Sequence, residues 1–446
     1  MNRILLAALG TLLLLSCGEP ADPPPSAPVE SSRAAAIAWM KQTAIPLATV
    51  EAGHGFADLA PLTPVLAGVR VVGLGESTHG TREFFQLKHR MFEYLVSELG
   101  FTVFTIEANF TEAFAVDHYV LTGEGDPARA LAGLHFWTWN TEEVLELIRW
   151  MRAYNADPAH PRKLRFYGMD SQVSRGPAQA LLDYLAQVDP AYRAEVEPWL
   201  TRLLDFAELN GNPEESRLRA ASYITPVRDL RARLEAQREH YVQSRGEEAY
   251  ALIARHARTL EHAVVQSSLA GLQRSNRRDE FAMENVRWIL EREGPGAKMA
   301  IWAHNAHLMR VNGSFTPTGA HLKAELGDAF YMFRLAFNQG EFRALLIPPN
   351  SPPEGLQTHR IDAAPKESFE AVLAATGLPR LALDLRAAPG DGAVARYMDQ
   401  QVAMREIGAA YTPGYSYLRE LRPRGTFDGV LFVETTTASR PNPPLD

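Results

Sequence analysis

Short apolar runs alternate with longer amphipathic stretches along most of the chain. The runs are rich in Val, Ile and Phe, and their lengths are typical of buried strands. The stretches between them have the period of helices. Strands that alternate with helices predict an α/β fold with a largely parallel central sheet flanked by helices. The first runs lie at 69–74, 102–106, 164–169 and 298–302.

The first amphipathic stretch predicts a helix over residues 82–99. Its apolar side chains recur at helical spacing and form a broad stripe that would face the sheet. Gly100 follows directly, and glycine is the residue that most often ends a helix. We therefore expect this helix to cover one side of the strand at 69–74.

The middle of the chain has a different pattern from the rest. Between about residues 177 and 294 the sequence has long charged helical stretches and no convincing strand, which predicts a long helical insertion. Strand-like runs then return, and several of them could pair antiparallel, so we expect a mixed sheet. These later runs lie at 299–302, 331–337, 343–347, 381–385 and 429–433.

The first residues are typical of a signal that directs secretion. Arg3 gives a positive start, 4–15 form a short apolar core, and residues 1–16 would be removed. A core of this length is too short to span a bilayer, which takes about 20 residues. The sequence just before Cys17 resembles the lipobox of bacterial lipoproteins, in which the cysteine is acylated.

The resemblance implies a membrane anchor at Cys17, and export to the periplasm or the outer membrane. Residues 17–32 are rich in Pro, Ala and Ser, which predicts an extended tether. A catalytic domain would then cover 33–446. Gly18 follows the cysteine, in place of the aspartate often linked to retention at the inner membrane.

Composition narrows the classes of partner. The formal net charge is −8, which argues against nucleic acid and against a polybasic membrane-binding surface. Cys17 is the one cysteine in 446 residues, so neither a disulfide framework nor a thiolate metal site is expected.

Four of the predicted strands end in polar side chains that could carry chemistry. In a parallel sheet the carboxyl ends of the strands meet at one edge, where ligands bind in open α/β sheets. We therefore expect these side chains to converge. They are Glu76 and His79 after the first strand, Glu107 after the second, Asp170 after the third, and His304 with His307 after the fourth.

A histidine beside a carboxylate can activate water. Imidazole titrates near neutrality and can take a proton from water as that water attacks an acyl carbon. A carboxylate bonded to the other ring nitrogen fixes the tautomer, and the sequence leaves open whether Glu76 or Glu107 does so. Negative charge that develops on the acyl oxygen needs hydrogen-bond donors. Lys88, His304 and the backbone N–H groups near Gly80 are the candidates.

Three sequence blocks resemble the signature blocks of the erythromycin esterase family. They are Gly75-Glu76-Ser77-Thr78-His79-Gly80-Thr81-x-Glu83-Phe84, the 100–107 strand, and Trp302-Ala303-His304-Asn305-Ala306-His307. Weaker matches follow in family order, including Trp137-x-Trp139 and Gly168-Met169-Asp170. The resemblance covers nearly the whole chain after the tether.

This resemblance implies hydrolysis of a carboxylic ester by water, in named members the macrolactone ring of macrolide antibiotics. It implies His79 as the general base, with Glu76, Glu107 and His304 orienting the base and the water. Four further residues are expected to bind substrate: His307, Lys88, Asp170 and Trp137. Drug-inactivating members carry an arginine where this chain has Lys88. An ammonium cannot reproduce a bidentate guanidinium grip, so this difference bears on macrolide specificity more than on hydrolysis.

A serine nucleophile is an alternative interpretation of the same turn. Gly75-x-Ser77 resembles the start of a nucleophile elbow, whose pattern is Gly-x-Ser-x-Gly. The second glycine is needed for the tight turn from strand to helix, and His79 occupies its position. Labelling of Ser77 by a fluorophosphonate would favour this interpretation.

A metal-dependent hydrolase is a second alternative. The same histidines and glutamates are acceptable zinc or manganese ligands. They are spread over three strand ends, without a cysteine or a His-Glu-x-x-His helix, and we predict no metal. No organic cofactor is expected either, because the chain lacks a glycine-rich phosphate loop with the required spacing.

A third alternative is a surface lipoprotein that binds a small molecule without converting it. The anchor and the aromatic stretch at 136–139 are compatible with such a protein. Replacement of His79 by alanine separates the two functions, because a binder should keep its affinity while an esterase should lose turnover.

Overall fold

A computed structural model describes residues 27–211 and 213–443, which form two compact units. The larger one, here the sheet unit, contains residues 27–107, 115–167 and 289–443. The smaller one, here the helical unit, contains Ala108–Phe114 and Gly168–Trp288. The predicted signal peptide and the anchor at Cys17 lie outside the described residues. The first helix begins at Ala27, so the last residues of the predicted tether, 27–32, are helical.

Each predicted run lies wholly or largely within a strand, and five further strands of the described residues were not predicted. In the described residues the strands are β1 (Ile45–Pro46), β2 (Val71–Leu74), β3 (Val103–Asn109), β4 (Arg165–Asp170), β5 (Met299–Trp302), β6 (Phe330–Leu346), β7 (Gly355–Ile361), β8 (Arg380–Asp384), β9 (Val402–Arg405), β10 (Ala410–Tyr411), β11 (Leu418–Leu421) and β12 (Gly429–Thr436).

The main sheet has the order β1-β8-β12-β6-β2-β5-β3-β4, and β7 and β10 both pair with β6. Neighbouring strands from β12 through β6, β2 and β5 to β3 are parallel. Antiparallel pairs occur at β8 with its neighbours β12 and β1, and between β6 and β7. The predicted α/β fold with a mixed central sheet is therefore confirmed.

The centre of the sheet positions the polar residues. Strand β5 lies between β2 and β3 and runs parallel to both, with Leu74 level with Trp302 and Trp302 level with Ile106. All residues of these two central strands, β2 and β5, are buried. The segments that follow the three strands therefore leave the sheet at the same edge.

The helices, again in chain order and for the described residues, are α1 (Ala27–Thr43), α2 (Leu62–Val65), α3 (Arg82–Leu99), α4 (Ala113–Thr122), α5 (Pro127–Ala132), α6 (Glu142–Ala156), α7 (Arg175–Val188), α8 (Pro190–Leu200), α9 (Phe206–Asn210), α10 (Pro213–Ala236), α11 (Arg238–Arg245), α12 (Glu247–Ser267), α13 (Gly271–Arg292), α14 (Asn305–Leu308), α15 (Thr318–Leu326), α16 (Phe369–Ala374), α17 (Gly392–Asp399) and α18 (Pro423–Thr426). None of them is long and apolar enough to cross a membrane.

Helix α3 has the bounds that its sequence predicts. Gly100 adopts the left-handed conformation, with φ 71°, and its N–H bonds to the carbonyl of Leu95, which ends the helix. The apolar stripe is buried, and the buried side chains also include Lys88, His89 and Arg90. Helix α3 thus carries charged groups into the interior of the sheet unit.

The helical unit has a core of its own. Leu, Val, Ala and Tyr side chains of α7, α8, α10, α11 and α12 form one buried cluster that extends from Ala178 to Val264. The described residues between Arg175 and Arg292 contain helices and no strand, in agreement with the helical pattern of their sequence.

One long strand replaces two of the predicted runs. The segments 331–337 and 343–347 both belong to β6, which continues through Gly340. The polar residues around Gly340 indicate an interruption between two strands, yet the strand continues there and stays paired with β12 and β7. A Cβ at Gly340 would lie 2.3 Å from the carbonyl oxygen of Thr436, so glycine is needed where the two strands meet.

Candidate active site

The turn from β2 to α3 carries Glu76 and His79 and packs tightly on the strands beside it. The N–H of Gly75 donates to the carbonyl of Phe333, and a Cβ at Gly75 would lie 2.1 Å from Oδ1 of Asn305. A Cβ at Gly80 would lie 2.0 Å from the carbonyl oxygen of Arg343. The two glycines therefore let the turn approach neighbouring backbone and side chains more closely than any other residue could.

Glu76 and His79 form a carboxylate and imidazole pair within this turn. Oε1 of Glu76 lies 2.6 Å from Nδ1 of His79. The Glu76 side chain is fully buried, while that of His79 is 12% exposed. Of the two glutamates that the sequence leaves open, Glu76 is thus the one bonded to His79. With a hydrogen on Nδ1, the Nε2 of His79 is the nitrogen that can accept a proton.

Lys88 and Trp302 hold the other oxygen of Glu76. Nζ of Lys88 lies 2.5 Å from Oε2, and the indole N–H of Trp302 donates to the same oxygen at 2.9 Å. Nζ also lies over the Trp302 ring, 4.4 Å from its centroid. Because Lys88 is fully buried, it contacts Glu76 from within the protein interior.

The charge states of Glu76 and Lys88 depend on each other. Burial on its own raises the pKa of Glu76, but the Lys88 ammonium and the hydrogen-bonded His79 outweigh it, so the pKa lies below its usual value. Burial lowers the pKa of Lys88 to about 8, against the opposing attraction of Glu76. At neutral pH the carboxylate is therefore ionised and can accept the Nδ1 hydrogen of His79.

His304 faces His79. The two ring centroids are 5.1 Å apart. Nδ1 of His304 accepts the N–H of Ala306 at 3.1 Å, so the hydrogen of the neutral ring is on Nε2. Burial, together with the nearby His79, lowers the pKa of His304 well below its ordinary value. His304 is thus a neutral imidazole whose Nε2 is a hydrogen-bond donor.

Glu107 joins His304 to His307. Its Oε2 accepts the backbone N–H of His304 at 2.8 Å, and its Oε1 lies 3.4 Å from Nε2 of His307. Its carbonyl oxygen accepts the indole N–H of Trp139 at 3.0 Å. Glu107 therefore fixes the start of the segment that carries both histidines.

Trp139 lies beside the site. Its ring meets that of His79 edge to face, with centroids 5.8 Å apart. Trp137, the residue predicted to bind substrate, has its ring 5.9 Å from the guanidinium carbon of Arg343. The two tryptophans thus have different surroundings: Trp139 packs against His79, the candidate general base, and Trp137 lies near Arg343.

Asp170 belongs to the helical unit. Its Oδ2 accepts hydrogen bonds from the guanidinium of Arg278 at 2.9 and 2.6 Å and from the side-chain amide of Gln172 at 2.7 Å. The other predicted site residues belong to the sheet unit: Glu76, His79, Lys88, Glu107, Trp137, His304 and His307.

Several site residues escaped the sequence analysis. Trp302 stands in a signature block, so its indole could have been considered as a donor. Trp139 had a weaker signal, as the neighbour of Trp137. Asn305 stands in the same signature block as Trp302, whereas Glu406 carried no signal, because it reaches the site on a loop after β9. Nothing local in the sequence connects that loop with His304.

Within 27–211 and 213–443, no group of three or more His, Cys, Asp or Glu side chains is arranged to hold a metal ion.

The sequence matches a known protein family. The sequence pattern described as erythromycin esterase matches residues 96–436. Erythromycin esterase type II of Escherichia coli is 25% identical over 334 residues, which cover 69% of this chain and 78% of that protein. Putative hydrolase YbfO of Bacillus subtilis (strain 168) is 23% identical over 448 residues, covering 90% of this chain and 91% of its own.

Solved structures share the fold. A protein from Bacillus cereus superposes with a TM-score of 0.80 at 24% identity, over 92% of this chain and 99% of that one. A mutant of the erythromycin esterase EreC in its open conformation has a TM-score of 0.65 at 18% identity, over 88% of this chain and 96% of that one.

Proposed function

The chain belongs to the erythromycin esterase family, and from that premise we propose that it is a hydrolase that cleaves a carboxylic ester with water activated by His79. The observation that carries the proposal is the 2.6 Å contact between Glu76 and Nδ1 of His79, which leaves Nε2 as the basic nitrogen. An esterase of this kind needs no nucleophile of its own.

The first step joins water to the acyl carbon. Nε2 of His79 takes a proton from water as the oxygen forms a bond to the carbonyl carbon and the electron pair of the C=O bond moves to its oxygen. The imidazolium that forms is stabilised by the ionised Glu76, which is itself held by Lys88 and Trp302. Buried charges fixed in advance contribute more to such a step than mobile solvent would.

His304 is the proposed donor to the acyl oxygen. It is neutral, and its Nε2 carries the hydrogen because Nδ1 is occupied by the Ala306 N–H. Removal of one donor to such an oxyanion typically reduces kcat by about 100- to 1,000-fold. Collapse of the intermediate then breaks the bond to the alkoxide, which takes the proton back from Nε2 of His79 and leaves as the alcohol.

The names of two relatives support the choice of substrate class. Two curated relatives bear the names erythromycin esterase type II and type I, both from Escherichia coli. A cyclic ester, the macrolactone of a macrolide, is therefore the substrate that we propose to test first. Lys88 contacts Glu76 and is fully buried, so its difference from arginine would act on substrate choice through Glu76.

The test is an ester panel that includes macrolides of two ring sizes and acyclic esters, followed by mass spectrometry. We expect addition of one water to at least one ester by the wild type, and loss of that activity in His79→Ala. His240→Ala is the matched control, since His240 belongs to the helical unit and bonds the carbonyl of Val188. Turnover by His79→Ala would contradict the proposal, and activity that disappears on chelation and returns with added zinc or manganese would replace it with a metal-dependent one.

We also propose that the protein is anchored at Cys17 and exported to the periplasm or outer membrane. The support is the sequence before Cys17 alone. Metabolic labelling with palmitate should mark the wild type and not Cys17→Ser. Equal labelling of both, or labelling of neither, would contradict the anchor.

A further inference from the structure

A second buried carboxylate, that of Glu406, lies beside His304. Oε2 of Glu406 is 3.6 Å from Nε2 of His304, and 8% of Glu406 is exposed. Glu406 follows strand β9, and neither the sequence blocks nor the proposed water activation uses it. A charged group in such a place needs partners, and these partners indicate its role.

Glu406 is held from behind by two donors. Its Oε1 is paired with the guanidinium of Arg334, which is fully buried. The side-chain amide of Asn305 donates to the same oxygen at 3.2 Å. The second carboxylate on Arg334 is Glu370, also fully buried, with Oε1 2.6 Å from the guanidinium.

The loop that carries Glu406 is bonded to the catalytic turn. The N–H groups of Ile407 and Gly408 both donate to the carbonyl of Ser77, at 2.7 and 3.1 Å. The N–H of His79 in turn donates to the carbonyl of Gly408 at 3.3 Å. The position of Glu406 is therefore fixed relative to the residues that carry the His79 ring.

The geometry of His304 leaves one nitrogen for Glu406. Nδ1 accepts the Ala306 N–H, so Nε2 bears the hydrogen, and this buried nitrogen lies 3.6 Å from Oε2 of Glu406. We propose that Glu406, held by Arg334, is a positioning residue that favours the Nε2–H tautomer and the orientation of His304 through the attraction of its charge, without accepting the hydrogen, which stays available to an acyl oxygen. The site then contains a second carboxylate and imidazole pair opposite Glu76 and His79. The catalytic consequence rests on the proposed function, whereas the positioning does not.

Other charged groups surround both members of the pair. His304 also faces His79, Glu107 and His307, and the backbone carbonyl of Ser77 interacts with its ring. Glu406 faces Glu370 and Arg419 besides Arg334, and burial raises its pKa although Arg334 opposes that shift. A test must therefore separate Glu406 from the rest of this network.

Glu370 provides the matched control. Both glutamates are buried partners of the same guanidinium, and Glu406 is the one whose oxygen lies near His304. The variants Glu406→Gln and Glu370→Gln remove the same charge from the same arginine. Glu406→Asp is a third variant, which keeps the charge and draws it back from the imidazole.

The first readout is the ring N–H resonance of His304 in long-range ¹⁵N–¹H spectra, assigned by its loss in His304→Gln. We expect the resonance to move in Glu406→Gln and Glu406→Asp and to stay in place in Glu370→Gln, with thermal melts to show that each variant is folded. If Glu406→Gln does not fold, Glu406→Asp decides alone. An unmoved resonance, or equal movement in Glu370→Gln, overturns the proposal.

The second readout is kinetic and uses the best ester of the panel. Glu406→Gln should lower kcat by about 10- to 100-fold, as loss of groups that orient other functional imidazoles does, with KM changed little. Glu370→Gln should lower kcat less. Equal losses in the two variants also overturn the proposal. If the resonance responds as expected while the wild type cleaves no ester, the positioning role stands and the proposed function fails.

Discussion

Removal of the Lys88 charge should reverse the direction in which the pKa of Glu76 is shifted. Lys88→Met keeps the length of the side chain and deletes the ammonium that lies 2.5 Å from Oε2 of Glu76. Burial then acts on Glu76 with only His79 and Trp302 opposing it. We expect the pKa of Glu76 to rise from below its usual value to above it.

The size of the effect follows from the burial of both partners. Neither Lys88 nor Glu76 is exposed, and removing one member of a buried pair typically costs about 3–5 kcal/mol of folding free energy. In the wild type the lowered pKa of Glu76 contributes stability that is present above its unfolded value of 4.5 and is lost as pH falls through the folded value. In Lys88→Met the sign is opposite, because a raised pKa makes the free energy of unfolding fall as pH rises past 4.5.

Lys88 adds its own dependence at high pH. Its folded pKa of about 8 lies below the unfolded value of 10.5, so the unfolded chain binds more protons between those values. The free energy of unfolding of the wild type should therefore gain up to about 3 kcal/mol across that window, and Lys88→Met should lack this gain.

Urea unfolding between pH 3 and pH 10.5 covers both windows and measures both signs, and kcat/KM on the best ester is followed over the same range. Activity of Lys88→Met should be lowest at acidic pH, where Glu76 is protonated and cannot accept the Nδ1 hydrogen of His79, and should recover partly as pH rises. Lys298→Met is the control, since Nζ of Lys298 donates to the carbonyl of Leu99 and has no carboxylate partner of this kind. If Lys88→Met showed the wild-type pH dependence of stability, or lost no more stability than Lys298→Met, the coupling inferred from the structure would be refuted.

Two further substitutions test how the site is held. Trp302→Phe removes the indole donor to Glu76 and should lower the free energy of unfolding by about 1.5–3 kcal/mol, because hydrogen bonds to charged groups are the stronger ones. Trp139→Phe removes a donor to the Glu107 carbonyl and should lower it by about 0.5–1.5 kcal/mol. Urea melts compare the two variants, and a larger loss in Trp139→Phe would contradict the role of Glu76 as a buried anion. Gly80→Ala places a Cβ 2.0 Å from the Arg343 carbonyl oxygen and should lower the free energy of unfolding by about 1–3 kcal/mol and reduce kcat. Gly296→Ala is the control and should be neutral, because its Cβ would meet no atom within 4 Å. Similar melting temperatures for the two variants would show that the turn has room to move.

The sequence was most informative where one local rule decides the structure. Helix α3 runs over the predicted residues because an apolar stripe at helical spacing ends at a glycine that adopts the left-handed conformation. The gathering of Glu76, Glu107 and His304 follows from the same kind of rule, since β2, β5 and β3 are parallel neighbours and all three end at one edge. The parallel order could be expected from the alternation of strands and helices.

Atomic pairing was beyond the sequence, because several polar residues compete for each partner. Glu76 follows buried strand β2, whereas Glu107, expected after its strand, lies within buried strand β3, and the choice between them depends on how tightly the turn at Gly75 and Gly80 closes. A lysine on an amphipathic helix is ordinarily solvated, so the full burial of Lys88 could not be seen before its position relative to Glu76 was known. Glu406 arrives on a loop whose partners lie on other strands, and no periodicity marks it.

Two buried chains of charge meet across the site, and their layout explains why the fold tolerates them. Lys88, Glu76 and His79 form one chain, and Arg334 and Glu406 lead to His304 in the other. Buried ion pairs add little net stability, since desolvation offsets their attraction, so an apolar interior would serve folding equally well. What each pair provides is a carboxylate at a fixed distance from an imidazole nitrogen. In one chain the carboxylate bonds Nδ1 of His79 and leaves Nε2 basic. In the other a backbone N–H occupies Nδ1 of His304, and Glu406 lies 3.6 Å from Nε2, too far for a hydrogen bond, so Nε2 stays a donor. In the proposed mechanism two identical side chains thereby take opposite roles, acceptor and donor, as attack of water on an acyl carbon requires.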